Sequence, residues 1–188
     1  MGVAILWPAT TGTRTRGQGN DVPPDPSRLH RLADHAPLPV DGRQSEAALA
    51  IRRGVCRRLR AEGFALIPEL TLPSGRRADL LGLGSSGEIL IVEIKSSIED
   101  FRADSKWPDY LTHSDRFFFA TGPSVPLDIF PEATGLMVAD AYGAEVMRDA
   151  PLEPLHASAR KALLIRIARS GALRLHDLED PDAARGIG

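Results

Sequence analysis

The stretch RRADLLGLGSSGEILIVEIKSS, Arg76 to Ser97, decides how this chain is read. Its second half has the Ile, Leu and Val density of a buried strand, yet Glu93 and Lys95 stand at its end. Side chains alternate between the faces of a strand, so Glu93 and Lys95 share a face with Ile89 and Ile91, while Leu90, Val92 and Ile94 form the other. One face is apolar throughout and the other turns ionic at its end. Charges are costly to bury unless something pairs with them, which marks this strand end as a candidate site.

Working outward, Phe64 to Leu72, Arg76 to Leu83 and Glu88 to Lys95 read as strands separated by Pro73-Ser74-Gly75 and Gly84-Ser85-Ser86-Gly87. The short turns predict an antiparallel three-stranded meander. If Leu72 faces Arg76, facing positions sum to 148 and Glu69 lies opposite Asp79; if Leu83 faces Ile89, they sum to 172 and Asp79 lies opposite Glu93. Three carboxylates then form a row, with Lys95 one step away. Like charges opposed in a sheet are destabilising and call for a counter-charge.

A divalent cation answers that need. Hard oxygen ligands, a single cysteine (Cys56) and no metal-spaced histidines suit Mg²⁺ or Mn²⁺. Asp79 and Glu93 would hold the ion together with the Ile94 carbonyl, the ion would acidify a bound water, and Lys95 would orient that water or stabilise the transition state. This is an arrangement for hydrolysing phosphodiesters. The plainer alternative is an ion pair between Glu93 and Lys95 at a sheet edge.

Asp79, thirteen residues, then Glu93-Ile94-Lys95 on adjacent strands behind a first helix resembles the PD-(D/E)XK nuclease superfamily. GRRADLLGLG, EILIVEIKSSIEDFRADSKWPDYL, DRFFFAT and GLMVADAYGAEVMRDAP narrow the resemblance to the MmcB-type bacterial DNA repair proteins, over about Gly42 to Arg169. The resemblance implies a restriction-endonuclease-like α/β core, a central mixed sheet flanked by helices, and DNA as partner. It assigns metal binding and water activation to Asp79, Glu93 and Lys95. Ala78 stands where the motif usually has proline. Many members of the superfamily add an acid from the first helix, where Glu46 is available; on a helical wheel Glu46 lies on the side away from the apolar stripe and is expected to face solvent, so Glu69 is the expected third carboxylate. Lys106 and Tyr110, one helical turn apart, are expected to point over the carboxylates, as a polar pair does in some relatives.

The first helix is predicted from Ser45 to Glu62, with Ala48, Ile51, Val55 and Leu59 at helical spacing and Gly63 as its stop. Residues 41–62 carry six Arg against three acids, a local charge of +3. Arg52, Arg53, Arg57 and Arg58 are either a solvated face or a phosphate-contacting patch. After Lys95, Ser97 is expected to cap a helix, Pro108 either to begin a second turn or to kink the first, and Arg116 to Thr121 to form a fourth strand. Most of the aromatics from Phe101 to Phe130 are expected in the core, with base stacking as the alternative for Trp107. Leu136 to Ala139 and Ala144 to Arg148 read as a further hairpin, Asp140 as a turn residue, and Leu155 to Ser170 as a closing helix.

The 188 residues, 43% hydrophobic and 26% charged with a formal net charge of −2, predict one folded domain at 41–175. Residues 1–40, rich in Pro, Gly and Thr, read as a disordered leader or as the product of a start codon placed too far upstream, and 176–188 as a frayed tail. The single cysteine and the lack of an export signal or long apolar run fit a cytoplasmic protein.

Overall fold

The structure is a computed structural model that describes residues 45–184; the expected leader lies outside the described residues. Helix α1, Glu46–Ala61, leads into strands β1 (Ala65–Thr71), β2 (Arg77–Leu83) and β3 (Ile89–Lys95). Helix α2 (Ile98–Ala103) and a 3-10 segment, Trp107–His113, connect β3 to β4 (Arg116–Thr121). Strands β5 (Gly135–Ala139) and β6 (Ala144–Arg148) precede α3 (Ala157–Glu179) and a short α4 (Pro181–Ala184).

All six strands form one sheet in chain order. The first three are the expected antiparallel meander, and the turn lengths set the register: Ile67 faces Leu81 and Leu81 faces Ile91, so positions sum to 148 and 172. From β3 the direction changes, since β3, β4 and β5 run parallel and β6 returns antiparallel. The result is a mixed α/β sheet, and every residue of β3, one of its central strands, is buried.

Two apolar layers cover the sheet. Ile51, Val55 and Leu59 of α1 pack on Leu80, Leu90, Val92, Phe118 and Met137. The opposite face, with Leu81, Ile91, Phe117 and Phe119, packs against Tyr110 and Leu163 of α3. Ser45 caps α1 by accepting from Ala48 N at 3.1 Å. Gly54 lets that helix press on the β5–β6 turn, where a Cβ would come within 2.1 Å of the Asp140 carbonyl oxygen. Asp140 holds the turn by accepting from the N–H groups of Tyr142 and Gly143 at 2.7 and 3.0 Å. Trp107 is half-buried and packs against the core, with ring centroids 5.8 and 5.5 Å from Phe117 and Phe119.

The closing helix runs further than its apolar pattern suggests, to Glu179 instead of Ser170. Gly171 weakens a helix without ending it, and the stop comes from Pro181. Asp115 stitches the elements together from a buried position. Its carboxylate accepts from Ile89 N, Leu155 N and both terminal nitrogens of Arg160, at 2.6 to 2.8 Å.

Candidate functional site

Regular pairing of β2 with β3 stops at Leu80 and Val92, one residue short of Asp79 and Glu93. Side chains take over from the ladder at that point. Asp79 N–H donates to Glu93 Oε1 at 3.2 Å, and Ile94 N–H donates to Asp79 Oδ2 at 2.9 Å. Pairing of β1 with β2 also skips its middle rung, between Pro68 opposite Leu80 and Leu70 opposite Ala78. Strict alternation would put Leu80 and Ala78 on one face, yet Leu80 packs in the α1 layer and Ala78 in the other. The sheet therefore twists through Glu69 and Asp79. Glu69 takes the left-handed backbone conformation, φ 53°, an unusual state for a residue with a side chain.

That twist sends Glu69 elsewhere than expected. Its buried carboxylate lies 2.7 Å from Arg77 Nε and 3.7 Å from Arg52, and it does not line the cleft in which Asp79 and Glu93 stand. The expected row of three is thus a pair, with Glu69 close enough for its charge to raise the pKa of Asp79.

The cleft has a volume of about 440 Å³ at the end of β2 and β3, between the first turn of α1 and the segment around Tyr110. Burial, with smaller effects from neighbouring charges, pushes Asp79 up to about 6. Burial and then the Asp79 charge push Glu93 up to about 8. Lys95, 5% exposed, sets its ammonium 2.7 Å from Asp104 Oδ2 and 3.7 Å from Glu93 Oε2. Burial acts to lower its pKa, but the Asp104 bond and the surrounding carboxylates outweigh that and raise it. Thr121 Oγ1 donates to the Lys95 carbonyl at 2.7 Å and fixes the strand beneath it.

Lys106 and Tyr110 both line the cleft. Tyr110 is buried, donates to the Arg77 carbonyl at 3.1 Å, and has its pKa raised by burial and then by Glu93 and Asp79. Ile94 lines the cleft too and supplies its N–H to Asp79. Glu46 is exposed and lies outside it.

Arg52, Arg53, Arg57 and Arg58 of α1 also lie outside the cleft, which α1 and its cap reach only through Ser45 and Ala48. Arg52 pairs with Glu69, Arg57 donates to the carbonyls of Ala141 and Tyr142 at 2.9 and 3.3 Å, and Arg58 pairs with Glu62 at 2.6 Å. Arg52 and Arg57 therefore tie the helix to the rest of the fold, whereas Arg53 and Arg58 are exposed, with Arg58 pairing within its own segment. The cations that do line the cleft are Arg76, Arg77, Lys95 and Lys106.

Sequence reading missed Asp104, Arg76 and Arg77. The two arginines immediately precede the Asp79 motif, a signal that was available. Asp104 had none, because it reaches Lys95 only through the turn that ends α2.

Among the described residues no group of three His, Cys, Asp or Glu side chains is placed to hold a metal ion. Two neighbouring carboxylates with raised pKa values, Glu93 buried and Asp79 half-buried at the cleft, nevertheless suit a hard cation that keeps most of its waters. The donor set fits an ion held by two carboxylates and does not fit a closed cage.

Fold and cleft define an α/β protein with an Asp, Glu and Lys constellation in a cleft at one end of a mixed sheet. The chain belongs to the MmcB-like family of DNA repair proteins, whose family model matches residues 35–182. A solved protein of unknown function from Silicibacter pomeroyi is 42% identical, covers 77% of this chain and 97% of its own, and superposes with a TM-score of 0.71. A repair endonuclease from Pyrococcus abyssi is 21% identical over 54% of this chain and 49% of its own, with a TM-score of 0.36, too low to carry an argument. No curated protein sequence matches. Among the described residues, no helix is long and apolar enough to cross a membrane.

Proposed function

We propose that the protein is a Mg²⁺- or Mn²⁺-dependent nuclease that hydrolyses phosphodiester bonds in DNA during repair. The observation that carries this reading is the pair Asp79 and Glu93, with Glu93 accepting from the Asp79 N–H, Asp79 accepting from the Ile94 N–H, and Lys95 beside them. Asp79 and Glu93 would hold the ion, with Ile94 at the same strand end. A bound Mg²⁺ would supply Lewis acidity and lower the pKa of a coordinated water. Ile94 N–H keeps the Asp79 carboxylate oriented. Lys95, held by Asp104, offers a fixed positive charge to a phosphoryl oxygen. Lys106 and Arg76 at the rim receive the DNA backbone, whose charge they partly neutralise.

A second reading, a DNA-binding scaffold that keeps the fold without turnover, is favoured by one observation. The Lys95 ammonium is already bonded at 2.7 Å to Asp104. The two part on labelled single-stranded, duplex, flapped and branched DNA incubated with Mg²⁺, Mn²⁺ or EDTA. A nuclease cleaves at least one of these and stops in EDTA; binding without divalent-dependent cleavage on any of them leaves the scaffold.

A further inference from the structure

Helix α3 packs inward through Leu163, Ile167 and Ser170, and Arg174 bonds to the carbonyls of Pro68 and Glu69. Its opposite side carries Lys161, Ile165, Ala168, Ala172, Leu175 and Glu179, spaced alternately by four and three residues, all exposed. At about 100° per residue these six fall within an arc of about 80°. Ile165 and Leu175 are 51% and 56% exposed, large values for apolar side chains aligned on one face. Spacing of four and three is the seam of a two-helix coiled coil.

We infer that this seam pairs with a second copy of the chain, antiparallel, across a two-fold axis near Ser170. The sequence of the seam is its own complement. In an antiparallel pair of identical helices facing positions have a constant sum, and at 340 Ile165 meets Leu175, Ala168 meets Ala172, and Lys161 meets Glu179. The large apolar residues cover each other, small ones meet at the crossing, and opposite charges close both ends. A parallel pair would set Lys161 on Lys161 and Glu179 on Glu179.

The charge order of the helix gives a separate argument. Lys161 lies in its second turn and Glu179 in its last, with no acid in its first turn, the reverse of what the helix dipole favours for these two side chains. A partner helix running the other way sets Glu179 against Lys161 at both ends of the seam and offsets that cost. The pairing is independent of whether the cleft cuts DNA.

The test is sedimentation velocity of the full chain from about 1 to about 200 µM, a range suited to so small an interface. The wild type is expected to pass from the 20.3 kDa monomer to a species of twice that mass. Leu175→Asp is expected to stay monomeric with unchanged circular dichroism. Lys161→Glu and Glu179→Lys should each weaken the dimer by roughly tenfold, and the double exchange should restore it. A monomer throughout, a dimer indifferent to Leu175→Asp, or single charge changes without effect would overturn the inference.

Discussion

Lys95 and Asp104 form a 2.7 Å ion pair between a central strand and the turn that ends α2, with the two side chains only 7% and 19% exposed. Removing one partner leaves the other charged in a largely dry place. Asp104→Asn is therefore expected to lower stability by about 1–3 kcal/mol, below the cost of a fully isolated charge because Glu93 stays 3.7 Å from the ammonium. Chemical denaturation with the midpoint and slope both fitted measures it; an unchanged midpoint would show the pair to be idle.

Asp79 and Glu93 govern how the metal-free protein responds to pH. Both have folded pKa values above their ordinary ones, about 6 and about 8, so the folded state holds protons that the unfolded state has released. Stability is expected to fall as pH rises from about 4 to about 8. Asp79→Asn should flatten that slope, raise the midpoint at pH 8, and abolish any rise produced by Mg²⁺. Thermal melts across that range, in EDTA and in Mg²⁺, decide the matter.

Lys95→Ala leaves both carboxylates in place. If the cleft is catalytic, binding of metal and DNA should survive while cleavage falls by roughly 10²-fold or more. Single-turnover cleavage beside a fluorescence binding assay separates the two effects, and a parallel loss of both would point to a collapsed site.

Asp115→Asn should be among the most damaging single changes outside the cleft. It removes the carboxylate charge paired with Arg160, which keeps its bond to the Gly87 carbonyl, and weakens two bonds from backbone N–H groups, at an expected cost of about 3 kcal/mol. Burial alone would raise the Asp115 pKa, but Arg160 and the backbone donors lower it, so its contribution is present above the ordinary carboxylate range and lost as pH falls below that range through the lowered folded pKa. Urea titrations of the two proteins at neutral pH and near pH 3 should converge if this assignment holds.

Gly54→Ala tests the contact of α1 with the β5–β6 turn. Helix propensity alone favours Ala by about 1 kcal/mol, whereas the new Cβ would meet two backbone oxygens at 2.1 and 2.3 Å. The clash is expected to win, and a midpoint raised by the substitution would refute the packing described.

Much of this was legible because short turns leave little freedom. Pro73-Ser74-Gly75 and the five residues after Leu83 set both hairpin registers, and with them the meeting of Asp79 and Glu93. Glu69 was not legible, since nothing in its neighbours announces a left-handed backbone at a residue with a side chain. The arginines of α1 look alike on a wheel, and only tertiary partners show that Arg52 and Arg57 hold the helix in place. Helix α3 outran its apolar stripe because its last two turns answer to Pro181 as a stop.

The change from antiparallel to parallel pairing at β3 also orders events in time. Asp79 and Glu93 are joined by one tight hairpin, a contact that closes a loop of a dozen or so residues, whereas β3 meets β4 and β4 meets β5 only after longer crossovers. Short loops close within about a microsecond, and non-local parallel pairings are slow. The meander can thus bring its acidic pair together while the far half of the sheet is still unpaired, so the repulsion between these two carboxylates is met early in folding, and any cation that relieves it acts on the folding rate as well as on the folded state.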